Sequence, residues 1–197
     1  MKEGASLLEA DMKDIDERAR QFAEMAHKGI SRKGTETPYM THLEETADIV
    51  RTLTDNKKVI AAAYLHDVLE DTDFTAAEIE ELFGKEVARL VESETENKYH
   101  DRPKADTWKI RKEETIHHLR HASLETKMIT LGDKLSNIRS IKRDYEQLGN
   151  QLWERFNQRD PQMHAWYYRA ICQSLTELED SAAWKELDCL IKEVFNC

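Results

Sequence analysis

The stretch from Val59 to Leu69 constrains this chain most. It is apolar on nearly every side of a helix and is broken only by His66 and Asp67. A helix that is hydrophobic all round has to be wrapped by other elements, so this one belongs at the centre of a helical assembly. Its neighbours show the narrower stripe of surface helices. Ile15, Ala19, Phe22 and Met25 recur at spacings of three and four within Leu8–Lys28, the pattern of an amphipathic helix. Thr41 with Glu44, and Thr75 with Glu78, read as capping boxes that open two more helices, the first running to about Leu53. Gly84 is placed to stop the second, and a further helix is expected over Lys85–Glu94. Gly29–Pro38 and the polar stretch Glu94–Asp106 read as loops, the latter lying over one face. Helices resume at about Trp108–His121, Leu124–Ile141, Tyr145–Phe156, Pro161–Leu178 and Ser181–Phe195. Only 6 glycines and 3 prolines interrupt 197 residues. The expectation is an all-α fold: one domain over 1–197, a bundle of about nine or ten helices.

Charge narrows the partners. Lys and Arg number 29 against 39 Asp and Glu, a net charge of −10. Such a surface repels nucleic acid and anionic lipid, whose binding rests on clustered Lys and Arg. An anionic substrate would need a local basic pocket. The N-terminal stretch lacks a signal-peptide apolar core, and the run Val59–Leu65 is far too short to span a bilayer. Cys172, Cys189 and Cys197 form no CxxC pair, which suits a reducing compartment. A soluble, cytoplasmic protein is expected.

A His-Asp pair inside so apolar a run is physically odd. A buried, unpartnered carboxylate costs several kcal/mol, and no Lys or Arg lies between His66 and Asp71 to meet it. On a continuous helix His66, Asp67, Glu70 and Asp71 project to one side, where a divalent cation would stabilise them together. Adjacent His and Asp alone often mean no more than a histidine satisfied by a backbone carbonyl. Two other segments add to the signal. His42 falls in the first turn of the Thr41-capped helix, directed toward a neighbouring cleft. Asp133, Asn137 and Ser140 form a polar stripe at helical spacing beside the apolar stripe of Leu131, Leu135 and Ile138, and Gly132 permits close approach of another group.

These motifs carry a resemblance. The pattern of His42, His66-Asp67 and Asp133, extended by Glu70 and Asp71, resembles the HD-domain superfamily. More narrowly, it is similar to the hydrolase domain of the RelA/SpoT homologues and to the stand-alone small alarmone hydrolases. The likeness covers about residues 19–141, leaving about 142–197 as a helical extension. It rests on Arg32-Lys33 followed by Pro38-Tyr39-Met40-Thr41-His42, on Leu65-His66-Asp67-Val68-Leu69-Glu70-Asp71-Thr72, on Phe83-Gly84-Lys85-Glu86-Val87-Ala88, and on Asp133 through Ser140. The family often carries Gly-x-Pro-Tyr and a Pro just after the first ligand histidine; here the residues are Thr37-Pro38-Tyr39 and Leu43. The Val91–Lys98 segment also departs from the family pattern.

The resemblance implies a metal-dependent phosphohydrolase that removes the 3′-pyrophosphate from guanosine tetra- and pentaphosphate (ppGpp and pppGpp) with a bound manganese ion. By position, His42, His66, Asp67 and Asp133 match the metal ligands. Glu70 and Asp71 match the catalytic acidic pair, and Arg32, Lys33, Asn137 and Ser140 match substrate contacts. Nothing after Ile141 resembles a synthetase domain, so a purely degradative role is implied. Two alternatives stay open: an HD-type phosphatase of another nucleotide (adenosine polyphosphates, NADPH or deoxynucleotides), and a catalytically silent nucleotide sensor. Intact Glu70 and Asp71 argue against the sensor. His117 and His121 have the spacing of a helical metal pair but no Glu or Cys partner of a zinc motif, so they read as surface histidines. Trp153, Phe156, Trp166, Tyr167 and Tyr168 read as core or as a dimer face, which leaves a homodimer open.

Overall fold

The computed structural model describes residues 14–195 apart from 98 and 100. Residues 8–13 of the first expected helix, Lys98 and His100 of the polar loop, and Cys197 lie outside the described residues. The fold is all-α, as the spacing of apolar residues predicts. Among the described residues, the β-type pairing is confined to an isolated bridge between Ser31 and Pro38 that closes the Gly29–Pro38 loop. The chain's contacts fall into two compact units, Met1–Thr95 and Glu96–Cys197.

In the first unit, α1 (Ile15–Ala26), α2 (Met40–Arg51), α3 (Lys57–Leu65), α4 (Val68–Asp71), α5 (Ala76–Phe83) and α6 (Lys85–Glu94) follow in order. Helix α3 is the hub: α1, α2 and α6 all pack on it, and every residue from Val59 to Leu65 is buried. Ala19 and Ala23 let α1 lie close, and both are fully buried. Asp16 anchors this packing: its carboxylate meets Lys57 Nζ at 2.9 Å and Arg51 at 3.5 Å, so a buried charge is paired. The Thr75–Glu78 capping box is present in both directions, and Gly84 adopts φ +84° where α5 gives way to α6. Without a Cβ that conformation is unstrained.

Two local expectations change. Thr41 does not cap its helix. Helix α2 begins at Met40, and the amides of Thr41 and His42 already bond the carbonyls of Pro38 and Tyr39 at 3.1 and 2.9 Å. The closed loop delivers the chain in a turn, so no side-chain cap is used. The central helix also stops sooner than Leu69. It ends at Leu65, His66 and Asp67 form a turn, and α4 is a single turn beyond it. His66 Nδ1 bonds the Ala63 carbonyl at 2.8 Å, satisfying one of the acceptors that a helix end leaves open.

The second unit contains α7 (Lys104–His121), α8 (Leu124–Leu148), a 3-10 segment at Gly149–Arg155, α9 (Pro161–Ser174), a 3-10 turn at Thr176–Leu178 and α10 (Ala182–Phe195). The two helices expected over 124–156 are one long helix, because nothing between Ile141 and Tyr145 breaks it. It ends at Gly149, φ +55°, and the chain tightens into 3-10 geometry. Helix α8 packs along α10, joined by the paired hydrogen bonds of Arg139 to Glu186 at 2.7 and 2.6 Å. Trp153, Phe156, His164, Tyr168 and Phe195 make a chain of ring contacts with centroids 5.1 to 5.9 Å apart. These late aromatics therefore build a core. Among the described residues, no helix is long and apolar enough to cross a membrane.

Candidate metal centre

The early stop of α3 sets the geometry at its end. His66 is 2% exposed, and its Nδ1 must carry the proton it gives to the Ala63 carbonyl, because a carbonyl only accepts. Nε2 is thereby the ring nitrogen turned away from the helix and toward the site. It faces Asp67 Oδ2 at 3.0 Å. His42, 1% exposed in the first turn of α2, brings its Nε2 to 3.5 Å from the same oxygen. The two imidazoles stand edge to face with centroids 5.2 Å apart, and each offers a ring nitrogen within 4.8 Å of the other's. Two buried imidazoles and a carboxylate thus converge from two helices on one small volume.

The electrostatics agree. Burial by itself would raise the Asp67 carboxyl, but the His66 and His42 imidazoles outweigh it and hold Asp67 well below the usual range. The carboxylate is ionised and further held by the Tyr39 hydroxyl, which donates to Oδ2 at 2.6 Å. Mixed nitrogen and oxygen donors of this kind fit a borderline divalent ion. Glu70 and Asp71 lie on α4, and their amides bond the Asp67 carbonyl at 3.0 and 2.9 Å, so both are fixed relative to the His-Asp turn. Partial burial of its carboxyl group, and then the Asp67 charge, push Asp71 above the usual range, against the opposing pull of His27, Tyr39 and His66.

Arg32 and Lys33 lie in the loop before α2. The loop is tied across its base by Arg32 N to Thr37 O at 2.8 Å and at its tip by Thr35 N to Arg32 O at 3.0 Å. In the second unit, Asp133 is buried on α8. Its carboxylate accepts from Asn137 one turn on and pairs with Lys134 at 2.6 Å. Ser140 follows on the same helix, part-buried. The neighbouring cations are already engaged: Arg139 with Glu186, and Lys142 with Glu146 and Glu193. They do not form a free basic patch. His117 and His121 are exposed, with ring centroids 5.5 Å apart.

Tyr39 and His27 are the residues whose part sequence reasoning did not see. Tyr39 belongs to the Pro38-Tyr39 motif, but its contact with Asp67 spans 28 positions.

A family profile described as HD domain matches residues 19–163, most of the chain. The chain belongs to the HD-domain family. Among curated proteins it is similar to the guanosine-3′,5′-bis(diphosphate) 3′-pyrophosphohydrolase MESH1 of Danio rerio, 40% identical over 126 residues. That match covers 62% of this chain and 66% of the relative, just short of two thirds of the relative's length. The MESH1 of Homo sapiens is 37% identical over 147 residues, 72% of each chain. A solved structure described as "A metazoan ortholog of SpoT hydrolyzes ppGpp and plays a role in starvation responses" matches with a TM-score of 0.67 and 28% identity. It covers 92% of this chain and 94% of that one. The HD-domain family and the His-Asp donor set fit a divalent metal.

Proposed function

We propose that this chain is a metal-dependent hydrolase that removes the 3′-pyrophosphate from guanosine 3′,5′-bis(diphosphate) and its pentaphosphate analogue. One observation carries the proposal: two buried imidazoles face one carboxylate oxygen, with a Glu-Asp pair a turn away, in a chain 37–40% identical to named pyrophosphohydrolases of that nucleotide. His42, His66 and Asp67 would hold the ion, with Asp133 as the fourth ligand and manganese as the metal. The units then work as one functional domain. When bound, the cation lowers the pKa of water and polarises the phosphoryl group.

The protein's own groups do the rest. Glu70 orients a water molecule and accepts its proton as the water oxygen joins the phosphorus attached to O3′. The bond from that phosphorus to O3′ breaks, and O3′ takes up a proton, for which Asp71 is the donor. Pyrophosphate and GDP, or GTP, leave. Arg32 and Lys33 neutralise the pyrophosphate, Arg32 by paired hydrogen bonds to its oxygens. Asn137 and Ser140 hydrogen-bond the nucleoside. Hydrolysis of this alarmone would oppose the stringent response, and the cytoplasm is the compartment where it would act. Cys172 and Cys189 are free thiols, consistent with a reducing compartment.

The test is to incubate the purified protein with manganese and a nucleotide panel and identify the products. Pyrophosphate with GDP or GTP supports the proposal. Orthophosphate or triphosphate from another nucleotide, or binding without turnover, overturns it.

A further inference from the structure

Tyr39 is tied to the acidic turn that follows α3. Its hydroxyl donates to Asp67 Oδ2 at 2.6 Å, the same oxygen that both imidazoles face. The phenolic hydrogen is therefore committed to the metal-facing carboxylate. A carboxylate on a short turn can rotate. A donor fixed at Oδ2 selects one rotation and keeps that oxygen aimed between the imidazoles.

The phenol is itself held by rings. His27 lies parallel beneath it, with centroids 5.2 Å apart and planes inclined by 15°. His42 meets it edge-on at 5.6 Å. His27 is 3% exposed at the C-terminal cap of α1, and its Nδ1 gives its proton to the Ala23 carbonyl at 3.0 Å, which fixes the plane of the ring. Its Nε2 is buried and makes no hydrogen bond. The imidazole therefore lies as a flat support beneath the phenol.

We infer that Tyr39 is a positioning residue whose hydroxyl orients Asp67 for the cation, and that the His27 ring holds Tyr39 in place. This inference rests on the proposed metal site, and its test separates the two. Tyr39→Phe keeps the ring stack and removes only the hydroxyl. Manganese affinity is measured by calorimetry on metal-stripped protein, alongside melting of the metal-free form and steady-state kinetics at saturating metal. The expected result is metal affinity weakened by about 10- to 100-fold, with kcat lowered, KM little changed, and the metal-free melting temperature near that of wild type. His27→Phe, which keeps a ring beneath the phenol, should retain more of the metal affinity than His27→Ala. Equal affinity in wild type and Tyr39→Phe overturns the inference while the metal site stands. Equal loss in His27→Phe and His27→Ala overturns the ring-support half. Wild-type protein that binds no manganese removes both the inference and the site beneath it.

Discussion

Replacing His66 by Ala separates the proposed role of the ring in metal binding from its role in folding. In the metal-free protein the substitution removes the Nδ1 bond to the Ala63 carbonyl and takes an imidazole from beside Asp67. Asp67 is still held by the Tyr39 hydroxyl and keeps access to water, with 19% of its side chain exposed. The loss is therefore one hydrogen bond and a partly compensated neighbour, about 1–3 kcal/mol. The metal-linked part is larger and distinct. A ligand that binds only the folded state, at one hundred times its dissociation constant, adds about 2.7 kcal/mol. For a chain of this length that is a rise of about 5–11 °C in melting temperature. Scanning calorimetry of stripped protein at increasing manganese should show this rise in wild type and none in His66→Ala. A rise of wild-type size in His66→Ala would refute the reasoning, because the ion would then be held elsewhere.

Three further outcomes follow from the same geometry. Glu70→Gln should keep the manganese-induced rise and lose turnover by about 10²- to 10⁴-fold; wild-type rates in that variant would remove Glu70 from its role. Arg32→Ala and Lys33→Ala should each raise KM about tenfold to a hundredfold through the loss of a charge-assisted bond, with manganese affinity unchanged by calorimetry. Burial, followed by the Asp67 charge, raises the Asp71 pKa in the folded state, so the folded protein binds more protons than the unfolded chain above the ordinary value of 3.8. Stability contributed by this group therefore falls as pH rises through that window. Metal-free Asp71→Asn should melt above wild type at neutral pH, and the advantage should shrink as pH is lowered toward 3.8; an advantage that grows on acidification contradicts the sign.

How much of this could be read in advance depends on how local the cause is. The Thr75–Glu78 box and the stop at Gly84 need only residues three apart and one backbone angle, and both are present. The buried Val59–Leu65 segment announces its central position through composition alone, and α3 is indeed the hub. Thr41 and Glu44 present the same motif, yet the capping is absent, because the bridge from Ser31 to Pro38 brings the chain into α2 already turned. The break at His66 is likewise invisible to a count of 100° per residue. It depends on a side chain folding back onto the Ala63 carbonyl. The long α8 hides no breaker, so dividing it near Lys142 had no physical cause. The stack of His27 and Tyr39 is a tertiary contact across a loop closed by hydrogen bonds, and no spacing rule encodes it.

The proposed activity depends on two imidazoles and two carboxylates caging a single cation, with Asp133 joining the His42, His66 and Asp67 set. Diffraction from crystals grown with manganese, recorded at its absorption edge, tests this most directly. One anomalous peak bounded by the side chains of His42, His66, Asp67 and Asp133 is the expected result. A peak elsewhere, or one that leaves out either histidine or the Asp133 carboxylate, would contradict it.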